Sequence, residues 1–127
     1  MERRVVITGL GAITPIGKDV NESWNSILNK KCGIDNISLF DNSTFKTKVD
    51  AEVKNYESQE YFDLKQSKRL DRSSQFAIIA SREAFKDSGI TKENTDFERV
   101  GVFVSSGIAG LSTIQEQCTI NCTKGHN

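Results

Sequence analysis

The sequence predicts an α/β domain, and three observations carry that prediction. Two continuous apolar runs, Val5-Val6-Ile7 near the start and Val100 to Val104 near the end, have the pattern of strands covered on both faces. Between them lie two stretches with apolar residues at helical spacing, and a glycine follows each, Gly33 and Gly89. The resulting order, strand, helix, helix, strand, with an apolar and therefore parallel strand pair, is that of a layered α/β unit.

Taken in order, the first strand runs into the turn Thr8-Gly9-Leu10-Gly11 and then Thr14-Pro15-Ile16-Gly17. Asp19 is the candidate cap of the first helix, in which Val20, Trp24, Ile27 and Leu28 share a face, and Gly33 is the expected stop. Residues 38 to 54 are polar and irregular, with a short strand expected near Ala51-Glu52-Val53, and residues 55 to 71 read as loop plus short helices. A stronger helix is predicted from Ser73 to about Asp87, built on Phe76, Ile79, Ala80 and Ala84 and stopped by Gly89. The second strand leads into the loop Ser105 to Gly110, and a helix carrying Cys118 and Cys122 follows.

Composition excludes several classes. The 127 residues are 36% hydrophobic and 27% charged, within the range of one domain with a modest core. Lys plus Arg and Asp plus Glu number 17 each, so there is no global basic excess of the kind nucleic-acid-binding proteins carry. No apolar run approaches the roughly 20 residues that span a bilayer, and the start has no apolar signal segment, so a cytoplasmic location is expected and the four glycosylation sequons carry no weight. Three cysteines, an odd number, argue against a closed disulfide framework.

The glycine-rich turn invites a nucleotide reading that its spacing refuses. A dinucleotide fingerprint, G-x-G-x-x-G, fails at Thr14, and the T-G-x-x-x-G-x-G pattern of short-chain reductases fails at Ile13, with Pro15 in the first turn of any phosphate-receiving helix. What the opening resembles is the start of the β-ketoacyl-acyl-carrier-protein synthases: a strand, T-G-x-G, then a T/S-P-x-G turn. The resemblance continues through Trp24, Cys32-Gly33-Ile34, Phe40-Asp41, Arg69-Leu70-Asp71-Arg72 and Gln75-Phe76-Ala77 to Arg99-Val100-Gly101-Val102-Phe103-Val104-Ser105-Ser106-Gly107-Ile108-Ala109-Gly110-Leu111. It is closest to the elongating, synthase II type of bacterial fatty acid synthesis.

The resemblance implies a thiolase-like fold, of which residues 1–127 would be the N-terminal part of the synthase N-terminal domain, an incomplete first half. It also implies a reaction. A cysteine at a helix N-terminus accepts an acyl chain as a thioester, malonyl-carrier loses carbon dioxide beside two histidines, and the carbanion attacks the thioester. No metal or organic cofactor is implied. The family's nucleophilic cysteine and both histidines are expected beyond Asn127, so no catalytic residue is assigned within this chain, which would be inactive alone. Cys32, Cys118 and Cys122 lie outside the family's T-A-C-x-S/T-G context. The implied partners are the acyl carrier protein, acyl and malonyl thioesters and, for the intact enzyme, a second copy of itself.

Two candidate sites follow. Lys65, Lys68 and Arg69, at i, i+3 and i+4, form one positive face on a helix, with Arg72 a turn further. Read from the residues this is either a solvated face or a surface for an acidic partner; the resemblance implies docking of the acidic carrier protein. Gly107 and Ile108, in the Ser105 to Gly110 loop, are either ordinary packing or, as the resemblance implies, the end of the acyl pocket. The loop has Ser105 and Ala109 where glycine is commoner in the family, and Ala109 disfavours a positive φ. A metal reading of Cys118, Cys122 and His126 fails on reach, since the outer pair is separated by roughly 12 Å of helical rise, and buried, hydrophobe-like cysteines are expected instead. The alternatives to synthase II are a polyketide ketosynthase or its chain-length partner, a short carrier-binding protein without catalysis, and a nucleotide-dependent reductase.

Overall fold

The computed structural model describes residues 4–125. They form two compact units, one of residues up to Tyr56 together with Ile79–Thr95, the other of Glu57–Ile78 together with residues from Asp96 onward. Helix and sheet are mixed, as expected, but the sheet is small and antiparallel.

In the first unit, α1 spans Val20–Leu28. Asp19 caps it, its carboxylate accepting the Glu22 N–H at 2.7 Å. The helix stops earlier than Gly33. The Lys31 N–H reaches the Ser26 carbonyl and the Lys30 N–H that of Ile27, both at 2.9 Å, with Lys30 itself left-handed at φ 56°. That is a Schellman ending with lysine in the position glycine prefers. Gly33 serves close approach instead, since a Cβ there would lie 2.9 Å from Pro15 and Ile16 side-chain atoms. The expected apolar face of α1 is not its buried one. Trp24, Ile27 and Leu28 are exposed, whereas Ser23 and Ser26 are buried against the Thr14–Gly17 turn. Their hydroxyls explain the inversion: Ser26 Oγ donates to the Ile16 carbonyl at 2.6 Å, and Ser23 Oγ shares a hydrogen bond with Thr14 Oγ1 at 2.9 Å.

The short strand expected near residues 51–53 forms one step earlier. β1 (Asp35–Asn36) pairs antiparallel with β2 (Val49–Asp50), in the register Asp35 to Asp50 and Asn36 to Val49. Glu52, just past β2, is buried, and its carboxylate accepts the Ser38 N–H and hydroxyl and the Leu39 N–H. The Ser38 hydrogen bonds hold its pKa below the ordinary carboxylate value.

The second unit holds a 3₁₀ turn at Ser58–Glu60, α2 at Leu64–Arg69, a second 3₁₀ turn at Phe97–Arg99 and α4 at Leu111–Lys124. Phe62 and Gln75 are its buried residues. The long helix α3 (Arg72–Asp87) contributes to both units, beginning one residue before the predicted start and ending, as expected, before Gly89 at φ 66°.

The two apolar runs read as a buried parallel pair form no strand ladder among the described residues. Val5, Ile7 and Phe103 are 93%, 83% and 97% exposed. An apolar sequence specifies a buried strand only when neighbouring strands and covering helices are there to satisfy its backbone and bury its side chains, and these segments have neither.

Candidate functional site

The basic face rests on α2. Asp63 caps this helix, its carboxylate accepting the Gln66 N–H at 2.7 Å, and Leu70 ends it in extended conformation. Lys65, Lys68 and Arg69 are all exposed, and none of their side chains is hydrogen-bonded or ion-paired with another described residue. Lys68 and Arg69 each stand about one helical turn from Lys65, as the spacing predicted. Arg72 does not extend that face. The break at Leu70 puts it in the first turn of α3, with its guanidinium 5.0 Å from the Phe76 ring centre, a cation–π distance.

Asp71, between the two helices, caps α3. It accepts from the Ser73 hydroxyl at 2.5 Å, the Ser74 N–H at 3.0 Å and the Ser74 hydroxyl at 2.8 Å, and these bonds hold its carboxyl at about 2. Gly110 lies beside it. Left-handed at φ 66°, Gly110 begins α4 without a side-chain cap, and a Cβ there would come 3.5 Å from Asp71 Oδ2. Asp71, Arg72, Ser73, Phe76, Gly110, Leu111 and neighbouring α4 residues line an open groove of about 430 Å³. Gly107 and Ile108 do not line it: a Cβ at Gly107 would meet nothing within 4 Å, and Ile108 is 73% exposed. Ala109 avoids a positive φ, as expected of it.

The cysteines are exposed, contrary to the buried role expected of them. Cys118 and Cys122 share α4, while His126 lies outside the described residues. No cluster of three metal-ligating side chains occurs among the described residues.

The glycine turn has a geometry that explains its sequence. A Cβ at Gly11 would sit 1.9 Å from the Ala80 carbonyl oxygen and one at Gly9 would sit 2.3 Å from that of Ala84, so only glycine lets the turn lie on α3. Two of its N–H groups are already bound. Asp87 accepts the Leu10 N–H at 2.9 Å, and Glu83 accepts the Ala12 N–H at 2.8 Å and the Val20 N–H at 2.9 Å. Two carboxylates thus occupy N–H donors of the turn and would repel a pyrophosphate, which argues against a nucleotide site here.

Sequence reasoning passed over Gln75 and Glu83, although a signal was present. Both lie on the helix ridge through Ile79, at i−4 and i+4, where a polar side chain among buried positions implies a specific partner.

The sequence profile of the family described as Beta-ketoacyl synthase, N-terminal domain, matches residues 2–124. The 3-oxoacyl-[acyl-carrier-protein] synthase 2 of Coxiella burnetii is 40% identical over 124 residues, 98% of this chain and 30% of the relative. That of Synechocystis sp. is 37% identical with the same coverage. That of Staphylococcus aureus strain N315 is 40% identical over 113 residues, 89% of this chain and 27% of the relative. The chain therefore spans less than a third of the length of these relatives. With the profile covering nearly every residue, the chain belongs to the β-ketoacyl synthase family.

Proposed function

We propose that this chain supplies the N-terminal region of an elongating 3-oxoacyl-[acyl-carrier-protein] synthase of the second type, which condenses an acyl thioester with malonyl-acyl-carrier-protein and releases carbon dioxide. The observation that carries this reading is the continuous similarity to synthase 2 proteins, 40% identity over 98% of the chain in one case. In this reading the thiolase-like fold is the complete architecture, residues 1–127 are the start of its N-terminal domain, and the whole enzyme works in the cytoplasm as a homodimer. The nucleophilic cysteine and both histidines belong to sequence beyond Asn127. A product of the native gene heavier than 14.1 kDa, acylated on a cysteine after that residue by acyl-carrier protein, supports it; a product of this mass that forms no adduct contradicts it.

Lys65, Lys68 and Arg69 dock the acidic carrier protein. Their exposure and lack of described acidic partners leave their charge available to it. Reversing Lys65 and Lys68 to Glu in the native-gene product lowers carrier affinity by roughly tenfold at low salt, with the difference shrinking as ionic strength rises. Affinity unchanged at low salt removes the assignment. Gly107 and Ile108 form the end of the acyl pocket, where the size of residue 108 limits chain length. Ile108→Phe then slows long primers relative to short ones, and an unchanged ratio of rates rejects that role.

A further inference from the structure

We propose that Gln75 is a positioning residue for carrier recognition, fixing the cationic helix α2 from its place on α3. The inference rests on the docking reading of Lys65, Lys68 and Arg69. α2 has six residues, too few to hold a helix by backbone propensity alone. Its one apolar side chain, Leu64, is 61% exposed and anchors it weakly. The seat of the helix is polar. At its start the Asp63 carboxylate takes the Gln66 N–H. Along its inner side the Ser67 hydroxyl meets the Ser58 hydroxyl at 2.6 Å. At its end, carbonyls of the last turn have no partner within the helix, and Gln75 supplies one. Its Nε2 donates to the Ser67 carbonyl at 3.0 Å and to the Leu70 carbonyl at 2.8 Å, using both amide protons.

Gln75 is itself buried, at 6% exposure, so it would act on a carrier protein through the helix it holds rather than by direct contact. One donor closes the last turn of the helix and the other fixes the extended residue that follows it. The direction in which Lys65, Lys68 and Arg69 project is therefore set from the first turn of α3. A leucine at 75 keeps comparable bulk but leaves both carbonyls without their donor, freeing α2 to reorient.

The test uses the native-gene product and compares carrier-borne acyl and malonyl thioesters with the same groups on pantetheine. Gln75→Leu should lower kcat/KM for the carrier-borne substrates roughly tenfold, chiefly through KM, while pantetheine substrates stay within about twofold. Gln75→Glu, similar in shape but without amide protons, should give the same split. A variant that loses both substrates equally, or neither, overturns the proposal, because a residue needed only for folding does not discriminate between them. Lys65→Glu with Lys68→Glu serves as the control. If that pair leaves carrier-borne turnover unchanged, the docking reading falls and this inference with it; if the pair acts and Gln75→Leu does not, only the inference falls.

Discussion

Glu83 ties two parts of the first unit together, one carboxylate oxygen on the Ala12 N–H of the glycine turn and the other on the Val20 N–H at the start of α1. With Asp87 on Leu10, it explains why a turn so rich in glycine is not a phosphate cradle: the glycines give access to α3, and α3 meets the turn with anions. Asp71 does comparable work for α3, and its charge makes that work dependent on pH. Its carboxyl is held at about 2 rather than the ordinary 3.8 by the Ser73 and Ser74 donors. A carboxyl whose pKa is lowered in the folded state contributes stability above its unfolded pKa, so the contribution is complete above 3.8 and disappears as the pH falls through about 2. Asp71→Asn should flatten that part of the pH dependence, and Asp71→Ala should cost about 1 kcal/mol at neutral pH as a lost cap. Urea unfolding midpoints between pH 2 and 6 measure both; an unchanged slope in the asparagine variant contradicts the assignment.

At the scale of elements, helix ends divide into those legible in the sequence and those that were not. Asp19 before Val20 and Gly89 after Asp87 act through one or two local hydrogen bonds or a local φ, so their residue types announce them. The end of α1 was misplaced because Lys30, not Gly33, takes the left-handed position. That conformation strains a side chain, so Lys30→Gly should raise stability by about 1 kcal/mol. The thermal midpoint reads this out, and a lower midpoint contradicts it. The buried face of α1 was missed for another reason. Ser23 and Ser26 are buried by hydroxyl bonds to Thr14 and Ile16, partners that helical periodicity cannot foresee, while the apolar Trp24 and Leu28 stay exposed. The basic face of α2 was legible because its three cations lie at i, i+3 and i+4 of one helix; Arg72 was not, because the break at Leu70 is set by the cap of the next helix. Gln75 and its two carbonyl partners depend on how α3 meets α2, which no spacing in the sequence encodes.

At the scale of the molecule, family membership and sheet formation separate cleanly. The motifs from Thr8 to Leu111 point to the family without any need for a completed sheet, and the profile match over residues 2–124 spans them. The apolar runs those motifs contain form no strand among the described residues and remain exposed, Val5 at one end and Phe103 near the other. No helix among the described residues is long and apolar enough to cross a membrane. In the proposed enzyme the exposed apolar surface belongs to the condensing fold. The central claim is that this sequence begins a decarboxylating condensing enzyme, and the direct measurement is the mass of the carrier-borne product after the native-gene protein is incubated with acyl- and malonyl-acyl-carrier-protein. The account predicts a 3-oxoacyl chain two carbons longer than the primer, with one carbon dioxide released per condensation. Carrier protein that binds yet returns with its acyl chain unextended would contradict it and leave a carrier-binding protein without catalysis.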